Sequence, residues 1–352
     1  MLRPRSAVAA MMSLDEDDRE DPCTLCCLGT VEVRAPHHTA APPSHAAHRL
    51  ARRERASLLP AVALAQPAKS ASASASASKT QIVMLGTGTP GFDIDRSGPA
   101  TAIVVNGTAY LVDFGAGVMR RAEGAYEKGV EALKPPNIHV AFLTHFHQDH
   151  TVGYADLIYS PNEWRKGPLE VYGPPGLQHL TEHLVEAYTV RRPPSQRSQP
   201  DVQVHAHEVM PGVVYKDSNV TVTAFAVKHG DNTAYGYRFQ TADRSIVISG
   251  DTSPAESIVE SCNGCDVLIH EAYSMFTYNY VTPEMQGRRR KIHTSSLELA
   301  EIARRARPGL LILYHRSSLG GSPHGNPEDV LLKELQSVYR GRVVTGHDLD
   351  IY

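Results

Sequence analysis

The sequence predicts an α/β domain in which two β-sheets pack face to face with helices outside. From Lys79 to Tyr352, short β-rich runs bounded by turns interleave with helical periods. That stretch is roughly 270 residues, within reach of one large domain. Apolar runs end in histidine in both halves of it, at Leu143-Thr144-His145 and at Leu313-Tyr314-His315. Two packed sheets would bring those strand ends together at one rim.

The elements follow in order. Gln81 to Leu85 and Ala100 to Val105 read as strands, and the second pairs with Ala109 to Val112 through Asn106-Gly107, a strong two-residue hairpin signal. Ile138 to Leu143 is an apolar run ending at a sheet edge. Further strands are predicted at Leu169 to Tyr172, Val202 to Glu208, Val220 to Val227, Tyr235 to Gln240, Ser245 to Ser249, Val267 to His270 and Leu310 to Tyr314. Helical periods cover Gly117 to Lys128, Gly176 to Tyr188, Ser295 to Arg307 and Pro327 to Tyr339.

Residues 1 to 78 read instead as a disordered or targeting extension, leaving residues 79 to 352 as the folded domain. They mix an acidic run (Asp15 to Asp21) with alternating Ala and Ser from Ser70 to Ser78, which is linker composition. Within them, Arg49 to Arg55 is basic, Ala56 to Ala65 is apolar, and Ala63-Leu64-Ala65 has the small-x-small form of a signal-peptidase site. This segment near 49–65 leaves two outcomes open: export to a periplasm-like compartment, or cytoplasmic or organellar residence.

The chain of 352 residues is 41% hydrophobic and 21% charged, a globular composition, and its formal net charge of -3 offers no basic field for nucleic acid. No apolar run reaches the ~18 residues a membrane span needs. Of five cysteines, Cys23, Cys26 and Cys27 fall in the extension, while Cys262 and Cys265 read as a turn before the strand Val267 to Ile269. An odd count without framework spacing argues against a disulfide scaffold. Gly86-x-Gly88-x-x-Gly91 matches a dinucleotide fingerprint, but Pro90 interrupts it and the next segment holds Gly98-Pro99 and enters a strand. A dinucleotide turn must open a helix, so strand-turn-strand at the rim is expected here.

The chemistry lies in five segments: Thr144 to His150, His229, Ser249 to Thr252, His293 and His315. In extended chain His145 and His147 project to the same side and converge on one ion. A turn then lets Asp149 and His150 face a second ion. The assignment is His145, His147 and His229 to the first ion, Asp149, His150 and His315 to the second, and Asp251 between them. An all-imidazole and carboxylate set suits two Zn2+, and also admits Mn2+ or Fe2+. A water shared by two such cations reaches a pKa of about 7, giving a bridging hydroxide at neutral pH. Asp149 is placed to accept a proton from it.

Glu271 and His293 form the next layer: a carboxylate holding an imidazole gives a proton donor for the leaving oxygen. His179 and His183, four apart on a helix, are expected to face solvent, as are His205 and His207 on their strand. Arg288-Arg289-Arg290-Lys291 attracts an anionic substrate or is a solvated loop. Trp164, Tyr278 and Tyr280 are candidates to line a pocket for an aromatic leaving group.

Together these segments resemble the metallo-β-lactamase superfamily, specifically its ribonuclease Z-like branch. The matching signs are Leu85 to Pro90, Val112 to Gly117, Thr144 to His150, Tyr172-Gly173-Pro174, His229 with Tyr235 to Arg238, Ser249 to Thr252, His270-Glu271-Ala272, His293-Thr294-Ser295 and His315. The resemblance implies a four-layer αββα sandwich of two mixed sheets, two zinc ions, phosphodiester hydrolysis, and His293 with Glu271 as the proton-donating pair. It also implies that penicillin hydrolysis is not the activity, because β-lactamases of the superfamily generally place cysteine where Asp251 stands. The resemblance also implies a homodimer.

One departure bears on the substrate. Members with a bacterial-type exosite carry a long Gly- and Pro-rich arm after the strand matching Tyr235 to Phe239, whereas here Gln240 to Arg244 alone separate it from the next. An armless subgroup of similar appearance includes zinc-dependent aryl sulfatases. The expected function is therefore cleavage of small anionic esters, phosphodiester or aryl sulfate, with no membrane partner. The alternative is tRNA 3′-end endonuclease, and behind it stand lactone or thioester hydrolysis and a non-catalytic metal-binding or redox role.

Overall fold

The computed structural model describes residues 80–196, 202–316 and 328–352. The extension predicted over residues 1 to 78 lies outside them. Thirteen strands among the described residues form two mixed sheets. The first contains β1 (Gln81–Gly86), β2 (Ala100–Val105), β3 (Thr108–Val112), β4 (Val140–Phe142), β5 (Leu169–Gly173) and β6 (Val204–Glu208), in that spatial order. The second contains β7 (Gly212–Lys216), β8 (Thr221–Ala226), β9 (Tyr235–Gln240), β10 (Ser245–Ile248), β11 (Val267–Ala272), β12 (Leu310–Arg316) and β13 (Val343–Thr345), again in order.

Alternation along each strand builds the layers. In β1, Ile82 and Met84 enter the core between the sheets, while Val83 and Leu85 enter a separate core on the outer face. β3 divides likewise, Tyr110 and Val112 inward and Leu111 outward. Phe142 centres the inner core, with the rings of Tyr172, Tyr237, Phe239 and Tyr215 at 5.4, 5.4, 5.5 and 5.8 Å. The outer face of the first sheet is covered by α1 (Val118–Glu127), α3 (Tyr154–Tyr159) and α4 (Leu177–Tyr188), through Val118, Ala122, Leu157 and Leu177, with the single turn α2 (Gln148–Thr151) between β4 and α3. Behind the second sheet, α5 (Glu256–Cys262), α8 (Ser296–Ala306) and α9 (Glu328–Val338) close a third core through Ile258, Leu299, Ala303 and Leu331, and between α5 and α8 the chain forms α6 (Met275–Tyr278) and α7 (Pro283–Ile292). The result is αββα. No helix among the described residues is long and apolar enough to cross a membrane.

Local chemistry explains the boundaries. Asn106 and Gly107 both take positive φ, 50° and 76°, as the β2–β3 turn requires. Ser295 and Glu298 form a reciprocal capping box that starts α8. The run Arg288 to Lys291 is helix, not loop: Thr282 accepts the Met285 N–H and Pro283 sits in the first turn of α7. Its sequence lacks an apolar stripe, so periodicity could not reveal it. Cys262 ends α5, Asn263 and Gly264 reverse the chain, and Cys265 closes a disulfide with Cys262. The predicted turn is there, fastened by a local bridge rather than a scaffold.

After β13 the chain doubles back along β1. Tyr352 and Ile82 exchange backbone hydrogen bonds of 2.9 and 3.0 Å, and the Met84 N–H donates to the Asp350 carbonyl at 3.0 Å. The same tail presents the Asp348 carboxylate, which accepts from the Thr87 N–H at 2.9 Å, the Thr87 hydroxyl at 2.8 Å and the Ser97 N–H at 2.7 Å.

Phe142→Ala removes the ring on which both sheets close, and should cost about 3–5 kcal/mol of stability. Urea unfolding of the two proteins measures it; an unchanged midpoint would mean that the inner core does not depend on this ring.

Candidate active site

The site forms where strand ends of the two sheets meet. β4 runs through Leu143-Thr144 into His145, so the first sheet delivers His145 to His150. His147 keeps extended backbone, and the single turn of α2 then swings Asp149 and His150 round. The second sheet delivers His229 after β8, Asp251 after β10, and His315 near the end of β12. Gly250 precedes Asp251 with φ +62°, and a Cβ there would stand 2.9 Å from the Tyr235 carbonyl oxygen, so only glycine fits this corner. His315 itself has φ +40° at an irregularity in the β11–β12 register, and its N–H is held by the Thr87 carbonyl at 3.1 Å.

The seven candidate ligands converge. His147 Nδ1 lies 3.0 Å from His229 Nε2, and Asp251 Oδ2 lies 3.9 Å from His229 Nε2 and 4.0 Å from His145 Nε2. On the other side, His315 Nε2 stands 3.0 Å from Asp149 Oδ2 and 3.3 Å from Asp251 Oδ2, with His150 Nε2 3.4 Å from Asp251 Oδ1. Asp251 thus faces both groups. Ligand atoms of His145, His147, His229 and Asp251, and separately those of Asp149, His150 and His315, lie within 4.8 Å of one another.

Each imidazole has two nitrogens, and the rear one is fixed. His150 Nδ1 donates to Asp113 Oδ2 at 2.8 Å, and His229 Nδ1 donates to the Ile292 carbonyl at 2.7 Å. The Thr144 hydroxyl gives its one proton to Asp113 Oδ2 at 2.9 Å, so the 3.0 Å contact with His145 Nδ1 requires the imidazole to donate. These bonds aim Nε2 of His145, His150 and His229 at the cluster. His145 Nε2, His150 Nε2, Asp149 Oδ1 and Asp251 Oδ1 are buried with no hydrogen-bond partner in the protein. Orphaned polar atoms at that depth cost about 1–3 kcal/mol each. A divalent cation ligates such nitrogens and oxygens, so the residues fit one.

The electrostatics agree in part. Burial holds the His145 pKa well below its usual range and brings His229 down to about 4, so both are neutral imidazoles. Burial pushes Asp251 up, but His315 and His150 outweigh it and hold the carboxyl well below the ordinary value. His150 goes the other way: burial is overcome by the charges of Asp113 and Asp251, which hold its pKa well above the ordinary value.

Beside the cluster, His293 Nδ1 lies 3.0 Å from Glu271 Oε1, which also accepts the N–H groups of Thr252 at 3.1 Å and Thr294 at 3.3 Å. Burial would lower the His293 pKa, but the Glu271 charge and hydrogen bond raise it to about 9. A cleft of about 250 Å³ opens onto His147, Asp149, Asp251, His293 and His315, and Pro90 and Met285, Arg288 and Ile292 of α7 also line it.

Other candidates lie elsewhere. His179 and His183 are exposed on α4, and His205 and His207 flank Glu170 on the surface at 2.9 and 2.6 Å. The aromatic side chains expected near the leaving group do not line the cleft. Trp164 borders a separate groove beside Pro135 and Pro161, Tyr278 is buried under Arg290, and exposed Tyr280 packs on Phe276. Sequence reasoning missed Asp113 as a positioning residue. The parallel register Val112↔Phe142 sets it beside Thr144, and that pairing joins segments some thirty residues apart.

A two-sheet sandwich with clustered histidines and aspartates at its strand ends is the architecture of a metal-dependent hydrolase. The family model described as the β-lactamase superfamily domain matches residues 108–316, and the chain belongs to that superfamily, in its ribonuclease Z-like branch. A ribonuclease Z of Mycobacterium sp. (strain KMS) is 33% identical over 252 residues, covering 67% of this chain and 83% of that protein. Among solved structures, the metallo-β-lactamase fold protein YhfI of Bacillus subtilis has a TM-score of 0.60 at 19% identity, covering 78% of this chain and 99% of its own. The short form of human tRNase Z has a TM-score of 0.58 at 22% identity, with coverage of 77% and 98%.

Asp113→Asn removes the charge that orients His150 and Thr144. Metal affinity is expected to fall about 10–100-fold, read as the chelator concentration that strips the protein, with the far-ultraviolet circular dichroism unchanged. Equal chelator resistance in the two proteins would remove Asp113 from that role.

Proposed function

We propose that this chain is a di-metal hydrolase that cleaves small anionic esters, phosphodiesters first and aryl sulfates by the same shape and charge. The convergence of orphaned, buried ligand atoms from both sheets on Asp251 carries this reading. His145, His147 and His229 would hold one divalent cation, Asp149, His150 and His315 the other, and Asp251 would reach both. Zinc suits the donor set, and iron or manganese is compatible with it. When bound, such a pair supplies Lewis acidity and lowers the pKa of water toward neutrality.

The remaining work falls to the chain's own groups. Asp149 is among the residues that line the cleft, so it is placed to take a proton from the attacking water. His293 has its Nδ1 engaged by Glu271, which leaves Nε2 to give a proton to the departing oxygen. Burial of Glu271 and its two backbone donors keep that imidazole in one orientation. A cleft of about 250 Å³ favours a small ester, and so does the connection from β9 to β10, which is residues 241 to 244 alone. A second reading, endonucleolytic cleavage at tRNA 3′ ends, is favoured by the 33% identical mycobacterial relative, which is named ribonuclease Z.

Three substrates on one metal-loaded preparation separate these readings: bis(4-nitrophenyl) phosphate, 4-nitrophenyl sulfate and a precursor tRNA. Turnover of the tRNA alone would overturn the small-ester reading. Asp251→Ala should abolish turnover and lower metal content, and a variant retaining both would refute the site. His293→Ala should slow esters with poor leaving groups about 10²–10⁴-fold, while a nitrophenolate, which hardly needs protonation, is affected far less. Equal slowing across a leaving-group series would count against the proton-donor role.

A further inference from the structure

One wall of the cleft is a face of α7. Met285, Arg288 and Ile292 are spaced three and four residues apart, so they stand in a row along the helix, and all three border the cleft. Their helix cannot drift from the cluster, because the Ile292 carbonyl accepts the His229 Nδ1 proton at 2.7 Å and the next residue is His293. The run of four cations is also sorted by that helix. Arg289 is buried with its guanidinium 5.7 Å from the Tyr273 ring centre, Arg290 lies 5.8 Å from that of Tyr278, and Lys291 is exposed. Arg288 is the member that borders the cleft, which the carboxylate residues Asp149 and Asp251 also line.

We propose that this face of α7 selects the substrate: Arg288 pairs with an unbridged oxygen of the anionic ester, and Met285 and Ile292 pack on an apolar leaving group. The inference rests on the hydrolase reading and deepens it. The proton donor fixes the direction. His293 caps the same helix, so a leaving oxygen that receives its proton lies on the α7 side, where the groups beyond it are a thioether and a branched alkyl chain. A guanidinium among apolar neighbours suits an ester that is charged at its centre and apolar beyond the scissile bond, such as an aryl ester.

The test uses the metal-loaded full chain, titrated calorimetrically with phenylphosphonate and with inorganic phosphate, beside steady-state hydrolysis of bis(4-nitrophenyl) phosphate. Arg288→Ala is expected to weaken phenylphosphonate about tenfold and to raise KM by a similar factor, with kcat changed less. Arg288→Lys should restore part of the loss, since it keeps the charge and loses the fork. Met285→Ala should weaken phenylphosphonate about threefold or more and leave inorganic phosphate unchanged. Lys291→Ala deletes an equal charge outside the cleft and should move none of these values.

Equal losses in Arg288→Ala and Lys291→Ala would reduce the effect to long-range charge and overturn the contact. So would an enzyme that turns over the diester while Arg288→Ala leaves phenylphosphonate affinity untouched. A wild type that binds phenylphosphonate in an Arg288-dependent way yet hydrolyses no ester would uphold the contact and overturn the hydrolase reading.

Discussion

The Asp113 carboxylate is the constraint on which the site depends. It takes the Thr144 N–H and hydroxyl and the His150 Nδ1 proton within 2.9 Å, and through Thr144 it fixes His145 as well. An imidazole can serve the cluster with one nitrogen only if the other is held, and this buried acid holds one directly and one through a hydroxyl. Its own backbone pays in strain, with φ +61° at the end of β3. Neighbouring glycine makes room for the loop: a Cβ on Gly115 would collide with the Asp149 carbonyl oxygen.

The sandwich supplies what a single sheet could not. Ligands up to His150 belong to the first sheet and those from His229 onward to the second, so the site exists only while the inner core around Phe142 keeps the two in register. The site and the fold therefore share one requirement, and Asp251 marks their meeting point, with 3.3 Å to His315 and 3.9 Å to His229. The wall of α7 joins the same assembly through the Ile292 carbonyl, which ties it to a ligand loop rather than to the helical layer alone.

Much of this was legible in the chain. Alternating apolar strands, Asn106-Gly107 and the Ser295 cap report on their immediate neighbours, so sequence order sufficed for them. The histidines of Thr144 to His150 sit close in sequence and reveal themselves by spacing. Asp113 did not, because its meaning comes from a parallel pairing across strands. α7 stayed hidden for a different reason: Arg288 to Lys291 reads as solvated charge until Tyr273 and Tyr278 are seen beneath two of its guanidiniums. The aromatic pocket expected from Trp164, Tyr278 and Tyr280 failed likewise: Tyr278 lies under Arg290 of α7 and Tyr280 on Phe276 of α6, helices the sequence did not disclose, and Trp164 borders the separate groove beside Pro135 and Pro161.

The tail that lies along β1 has a consequence for the molecule's behaviour among its copies. A flanking strand with bare amides and carbonyls is a template for pairing with another chain, and hydrophobic β1, buried through Leu85, would be an adherent one. Ile82 and Met84 instead spend those groups on Tyr352, Asp350 and Leu349. Intermolecular strand addition is thereby blocked at that flank, and the segment that blocks it is the same one that steadies the Thr87 loop behind His315. Protection from self-assembly and support of the cleft are delivered by one stretch of backbone.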